Sequence, residues 1–432
     1  MSGLRKGMIG FLALVFVLFA YNVLSNRPLR QLRAQAEEAQ VGKALQMKLW
    51  GRPSPALDPC WTNPPRKINT RKEWGYVLVT CSQGPHHHRY QIANAVIVAR
   101  QLGATLVMPT IKEGLTELAS NFDDVYNVKH FIASLEGVVR VMGRLPEELR
   151  KANQTSVEIP YTMTKKYIEQ TVRPVFKANQ IIVLDRFLPS LKDGEEEQDE
   201  EIGAIRCLVH HQALLFLSQI EKIGTRVNNR MMEAGQKAGG KYIAVDYRSA
   251  DKLCDQNLGD SLLSKNRCLP ALDLGLLLQS HGFPPETAIF LTQTHLDESF
   301  DPLLNLYPNV ISKEYTMPFN EENQFLYTGK TQFELAVDFY VCSHSEVFVG
   351  INSDTFYVAV AGERIRQGLT HVLVPKLQHS KESSEPILTL GASQLVTHKT
   401  HPAYSCFCKK GMNKKPTREL EKSLEPSSET SD

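Results

Sequence analysis

Three short segments hold the residue types from which a site for a charged small molecule could be built. The first, Cys81-Ser82-Gln83-Gly84-Pro85-His86-His87-His88-Arg89, lies between a β-branched apolar run and the helical spacing of Ile92, Val96, Ala99 and Leu102. Gly84 permits close backbone approach, the helix start offers N–H groups to an anion, and Arg89 adds a forked donor. Three consecutive imidazoles invite a metal. Adjacent side chains do not easily converge on one ion, however, and no Cys or carboxylate stands nearby at ligand spacing. Polar substrate contacts, with His86 among them, and ordinary capping are the readings left. The second segment, Tyr242-Ile243-Ala244-Val245-Asp246-Tyr247-Arg248, is an apolar strand ending in Asp-Tyr-Arg. Arg248 could grip a diphosphate with two charge-assisted bonds, or pair structurally with Asp246 or Asp251. In the third, Gly350 is followed by Asn352, Ser353 and Thr355 before a helical run. These are N-cap types whose hydroxyls and amides could cradle a phosphate or simply cap the helix. The chain has no Walker loop, G-x-G-x-x-G fingerprint, G-x-S-x-G elbow or H-E-x-x-H pair.

The elements that must position these segments alternate. Buried strands are expected at 75–81, 104–108, 180–185, 242–247, 288–292, 346–349 and 370–374. Helices are expected from Ile92 to Gly103, from Ala204 to about Met232, from Leu272 to Gln279, from Phe333 to Val341 and onward from Thr355. Strand–helix alternation predicts an α/β protein with parallel sheets, and each loop singled out above follows a strand, at the edge where such sheets bind ligands.

The chain has 432 residues, 42% hydrophobic and 22% charged, which excludes wholesale disorder. A net charge of +2 argues against a nucleic-acid binder working through bulk charge. Residues 7–24 contain no charge and approach the roughly 20 apolar residues that cross a bilayer. The exit through Val23-Leu24-Ser25-Asn26 lacks a small-x-small cleavage pattern, so an uncleaved signal anchor is expected rather than a removed signal peptide. The expected organisation is a cytosolic stub (1–6), an anchor (7–24), a stem (25–70), two domains (71–237 and 238–376) and a largely disordered tail (377–432). The acidic run 193–201 reads as a solvated loop, and Asn153-Gln154-Thr155 as a sequon on a surface loop. Eight cysteines are too few for a disulfide scaffold but allow a few bridges; Cys254 could pair with Cys268, while Cys406 and Cys408 stand too close to bridge each other.

Five blocks, 75–109, 205–231, 242–251, 267–310 and 336–368, together resemble the plant-type GDP-fucose protein O-fucosyltransferase-like family in order and spacing. The resemblance covers about residues 74–376. It implies a GT-B architecture, two Rossmann-like domains facing across a cleft, with the nucleotide sugar mainly on the C-terminal domain and the acceptor on the N-terminal side. It implies no cofactor and no required metal, a GDP-fucose donor, a protein or glycan acceptor, and a single-pass type II Golgi membrane protein with a lumenal body. By the same resemblance Arg248 contacts the donor phosphates, Ser353 and Thr355 hold them, and Gly84, His86 and Arg89 line the first loop. The family's His-Leu-Arg is Asp246-Tyr247-Arg248 here, and its first-loop Asn is His86. The expected activity is an inverting transfer of a deoxyhexose, foremost fucose, with Arg248 stabilising the leaving diphosphate and Asp246 or a His as base. UDP-rhamnose or another donor acting on a cell-wall polysaccharide is one alternative; a catalytically silent Golgi scaffold or glycan binder is the other.

Overall fold

The computed structural model describes residues 50, 55–61, 75–112, 119–188, 199–247, 270–293, 295–316, 331–350, 355–379, 386–390 and 401–408. The expected anchor, most of the stem, Arg248, Asn352, Ser353, Cys254 and Cys268 lie outside the described residues, as does most of the acidic run.

The first half builds one sheet. Tyr76–Cys81 (β1) is an apolar, β-branched strand buried on both faces, as parallel strands are. Helix α1 (Pro85–Leu102) follows. Pro85 occupies its first turn, where no N–H is needed, and Gly103 closes it at φ 69°, donating its N–H to the Ala99 and Arg100 carbonyls. Next come β2 (Thr105–Val107), β3 (Arg140–Met142), β4 (Thr155–Pro160) and β5 (Ile181–Leu188). They pair in parallel in the order β3-β2-β1-β5-β4. A short antiparallel pair, Thr110–Lys112 with Ala119–Asn121, extends the sheet beside Thr80 and Cys81. The strand order therefore reverses at β1, so the 82–86 loop leaves the sheet at a topological switch point.

The helix expected over 204–232 is two. Helix α2 (Glu200–Leu208) widens into a π-turn at Val209–Ala213, and α3 runs over Ser218–Ala234. Between them, the Leu215 carbonyl accepts from Asn127 N–H and Leu217 N–H donates to the Val125 carbonyl. These tertiary bonds replace helical ones and break the helix where local spacing alone predicts continuity.

The second half builds another sheet from β6 (Tyr242–Asp246), β7 (Ala288–Leu291), β8 (Val310–Ile311), β9 (Val347–Gly350) and β10 (Val372–Leu373). All pair in parallel, in the order β8-β7-β6-β9-β10. Helices α4 (Ala271–Ser280), α5 (Thr331–His344) and α6 (Thr355–Gln367) connect them. The buried Arg364 guanidinium donates to the Cys342, Ser345, Glu346 and His371 carbonyls. One cation thus satisfies the carbonyls at the end of α5 and ties them to the chain entering β10.

Residues 53–432 form one compact unit. Part of the segment expected to be a disordered tail belongs to it: Phe407–Cys408 pairs antiparallel with Asp58–Pro59, and Ala403, Cys406 and Phe407 are buried. Two disulfides, Cys60–Cys408 and Cys207–Cys406, fasten that segment, closing sequence separations of 348 and 199 residues. The tail's polar composition conceals this order because covalent links, not a long apolar run, hold it in place.

Candidate functional site

Parallel pairing aligns the ends of the two central strands of the second sheet. Asp246, the last residue of β6, lies opposite Gly350, the last residue of β9. Asp246 and Gly350 therefore sit side by side at the sheet's switch point, between β6 and β9. A Cβ on Gly350 would come within 2.5 Å of Cδ2 of Tyr357, so the bare Cα admits that ring where α6 starts.

Asp246 is 2% exposed, and its Oδ1 accepts from the Thr292 hydroxyl at 3.4 Å. Thr292 Oγ1 in turn accepts from Tyr247 N–H at 2.9 Å. The carboxylate is thus enclosed at the end of β6 and held by Thr292.

The 82–86 loop of the first sheet reaches the same place. Gly84 has φ +97°, a left-handed backbone that favours glycine, and a Cβ there would meet Leu335 Cδ1 at 2.8 Å. His86 stands edge-on to Phe356 at 5.2 Å and 4.5 Å from the His87 ring. His87 Nε2 lies 3.0 Å from Thr355 Oγ1, and its Nδ1 lies 2.6 Å from the Tyr161 hydroxyl. The start of α1 and the start of α6 are thereby joined directly. His88 turns inward: it is fully buried, its Nδ1 is 3.1 Å from the Tyr126 hydroxyl, and burial, with the neighbouring His87, holds its pKa down at about 3.

Arg89 is 6% exposed. It donates to the His210 carbonyl in the π-turn and sits 4.7 Å over the Phe339 ring. Burial lowers its pKa, and Glu363 opposes that. A desolvated guanidinium needs partners, and Arg89 finds them between helices, not in a loop-facing position. Among the described residues no three His, Cys, Asp or Glu side chains gather as a metal-ligand set.

A second cluster, absent from the sequence reading, underlies the β7 edge of the site. Lys313 Nζ pairs with Asp338 Oδ2 at 2.8 Å and donates to the Thr292 carbonyl at 3.1 Å. The two side chains are 3% and 0% exposed. Glu334, one helical turn before Asp338, has its carboxyl pushed up to about 7 by burial, with Lys313 opposing and Asp338 reinforcing the shift. Nothing local marks Lys313 or Asp338; only the folded chain brings them together.

The model of the family described as GDP-fucose protein O-fucosyltransferase matches residues 76–366. Protein MANNAN SYNTHESIS-RELATED 1 of Arabidopsis thaliana is 34% identical over 363 residues, spanning 83% of this chain and 84% of that protein. O-fucosyltransferase 29 of the same plant is 28% identical over 336 residues, 70% of this chain and 59% of that protein. A solved structure of NodZ alpha-1,6-fucosyltransferase soaked with GDP-fucose shares 13% identity and a TM-score of 0.42, covering 74% of this chain and 100% of that one.

Proposed function

This chain belongs to the GDP-fucose protein O-fucosyltransferase family and is a glycosyltransferase, and on that premise we propose that it transfers fucose from GDP-fucose to a cell-wall polysaccharide of the mannan class. The observation that carries the reading is the meeting of strand ends and helix starts: Asp246 beside Gly350, and the His87–Thr355 contact joining the start of α1 to the start of α6. In a GT-B arrangement the donor pyrophosphate lies at this junction. The name of the relative that shares 34% identity supports the polysaccharide acceptor.

Two negative charges develop on a departing diphosphate, and preorganised donors lower that barrier. Arg248 supplies the cation. Asn352, Ser353, the Thr355 hydroxyl and the first amides of α6 hold the phosphate oxygens, with Gly84 and His86 lining the opposite wall. The transfer inverts the anomeric centre along an oxocarbenium-like path, which reduces the demand for a strong base. Asp246, held by Thr292, ends the strand that leads to Arg248.

The apolar run 7–24 supports a single-pass type II Golgi membrane protein, and so do two disulfides, which persist in an oxidising lumen, and an exposed Asn153 in the sequon. Protease protection in sealed Golgi vesicles tests the topology; digestion of the body from outside would refute it.

The activity test is transfer by the full chain in detergent, with GDP-fucose and UDP-rhamnose as donors and mannan oligosaccharides as acceptors. The expected result is acceptor-dependent release of GDP, reduced about 100-fold or more in Arg248→Ala. Full activity in that variant would overturn the assignment of Arg248. Absence of a thermal shift with either GDP or UDP would overturn the transferase reading in favour of a silent glycan binder.

A further inference from the structure

We propose that Asn153 carries an N-linked oligosaccharide and that this glycan covers the open beginning of the edge strand β4. The proposal rests on the lumenal placement of the body argued above and is independent of the transferase reading.

Asn153-Gln154-Thr155 is the one Asn-x-Ser/Thr triplet in the 432 residues. Asn153 and Gln154 are exposed and belong to no strand or helix, and Thr155 opens β4. Among the described residues the Asn153 amide makes no hydrogen bond, so its nitrogen faces solvent and a bulky group on it displaces no native contact. In the lumen such a triplet accepts an oligosaccharide from a lipid diphosphate carrier. The Asn153 side-chain nitrogen forms a bond to C1 of the first N-acetylglucosamine, and the bond from that carbon to the lipid diphosphate breaks. The diphosphate leaves with the electron pair, and the amide gives up one proton. No oxidant or reductant is needed.

The position of the triplet in the sheet gives the glycan a task. Strand β4 is the last on its side of the first sheet: among the described residues it pairs with β5 alone. A free strand edge is a template for pairing with another chain. The later half of β4 is covered, since the Tyr167 hydroxyl donates to the Glu158 carbonyl at 2.8 Å and Asn94 Nδ2 donates to the Pro160 carbonyl at 3.0 Å. The beginning is open, with Thr155 half-buried and Ser156 exposed. A hydrated oligosaccharide anchored two residues upstream occupies the space that a second chain's strand would need. It does so away from the donor site. Thr155 lies opposite Ile182, and Ile182 opposite Tyr76's neighbour Val77, so Asn153 stands at the N-terminal end of these parallel strands. The opposite end carries the 82–86 loop, and there Tyr161, directly after β4, meets His87. Six strand residues at about 3.3 Å each put roughly 20 Å between the two ends.

The test uses the full chain made in a yeast secretory system and treated with a peptide N-glycosidase. The wild-type chain should lose apparent mass in one discrete step on gel electrophoresis, and the released peptide should hold an aspartate at position 153 by mass spectrometry. Asn153→Gln and Thr155→Val should abolish the step and Thr155→Ser should keep it, because the acceptor triplet needs a hydroxyl at its third residue. On concentration, Asn153→Gln should aggregate faster than the wild type by light scattering. Pro285→Asn reports the compartment separately, since it creates Asn-Glu-Thr at an exposed turn before β7. A mass step in Asn153→Gln/Pro285→Asn with none in the wild type overturns the inference and leaves the lumenal placement intact. No step in either chain overturns the lumenal placement and the inference with it. A step that survives in Asn153→Gln overturns the assignment to this residue, and equal aggregation of Asn153→Gln and the wild type overturns the role at the strand edge. The transferase reading stands or falls on its own assay in every case.

Discussion

Replacing Lys313 with methionine tests whether the cluster beneath the site carries the load its geometry implies. Lys313 and Asp338 form an ion pair at 2.8 Å with side chains 3% and 0% exposed. Lys313→Met keeps most of the volume and removes the charge, leaving a buried carboxylate without its cation. Breaking a buried pair from one side costs about 3–5 kcal/mol, most of it the desolvation of the partner left behind. The unfolding entropy of a unit spanning residues 53–432 is about 0.8 kcal/mol/K. The expected fall in Tm is therefore about 4–6 °C. The double variant Lys313→Met/Asp338→Leu removes both charges, and replacing such a pair by apolar groups is often neutral, so it should recover most of the loss. A functional consequence follows from the same contacts. Lys313 holds the Thr292 carbonyl, and the Thr292 hydroxyl binds both Asp246 and Tyr247 N–H. Loosening Thr292 should raise KM for the donor in the single variant. Scanning calorimetry of the full chain decides the matter. A Tm loss below about 1 °C, or a double variant no more stable than the single, would refute the reasoning.

Three further outcomes are expected. Gly84→Ala places a Cβ at φ +97° and 2.8 Å from Leu335, so it should cost about 1–3 kcal/mol and weaken GDP binding; a wild-type Tm and affinity by calorimetry would contradict this. Peptide mapping under non-reducing conditions should recover Cys60–Cys408 and Cys207–Cys406, with buried Cys81 and Cys342 resisting alkylation until the protein unfolds, and Cys207→Ser should lower stability by about 2–5 kcal/mol. Acidification should destabilise the protein from about pH 6.5 downward: His88, held near 3 by burial, stays neutral in the fold while the unfolded chain takes up the proton, a loss of about 1.4 kcal/mol per pH unit. His210 and His211, lowered by burial, act in the same direction, whereas Glu334, raised to about 7, opposes them because its contribution is lost as pH rises through that value. A Tm at pH 5 equal to or above that at pH 7 would refute the balance of three groups against one.

Sequence pattern located the strands that are buried on both faces. β1, β6, β7 and β9 are apolar runs bounded by turn residues, and such runs announce themselves locally. It missed β3 and β8, which are three and two residues long and too short to show a period, and also the six-residue β4 and the short pair Thr110–Lys112 and Ala119–Asn121. It fused α2 with α3 because apolar spacing continues through 209–213, whereas the break is imposed by bonds to residues 125 and 127. It read the acidic run as solvated, yet Asp199 accepts from the N–H groups of Glu201 and Ile202 to cap α2, and Glu201 pairs with the buried Arg100 at 2.6 Å. Charge density is visible in a sequence; a partner 101 residues away is not.

The site divides along the same line. Gly84, Gly350 and Thr355 are legible because each is a local anomaly at a strand end, a residue type chosen for backbone freedom or capping. Arg89 is equally conspicuous but serves helix packing, so a conspicuous residue type identifies a demand for charge without saying where that charge is spent. Tyr161, Lys313 and Asp338 carry no local mark at all. Their roles are defined by direction: which atom donates, which accepts, and which charge stays paired away from water. Direction is a property of a network, and the network closes only when strands far apart in sequence become neighbours. His87 shows the consequence most sharply. As one of three consecutive histidines it is ambiguous, and in the fold it is the group that bridges Tyr161 and Thr355. Substitution of Tyr161, which carries no motif, should therefore disturb the start of α1 and its contact with Thr355 while leaving every recognisable signature unchanged.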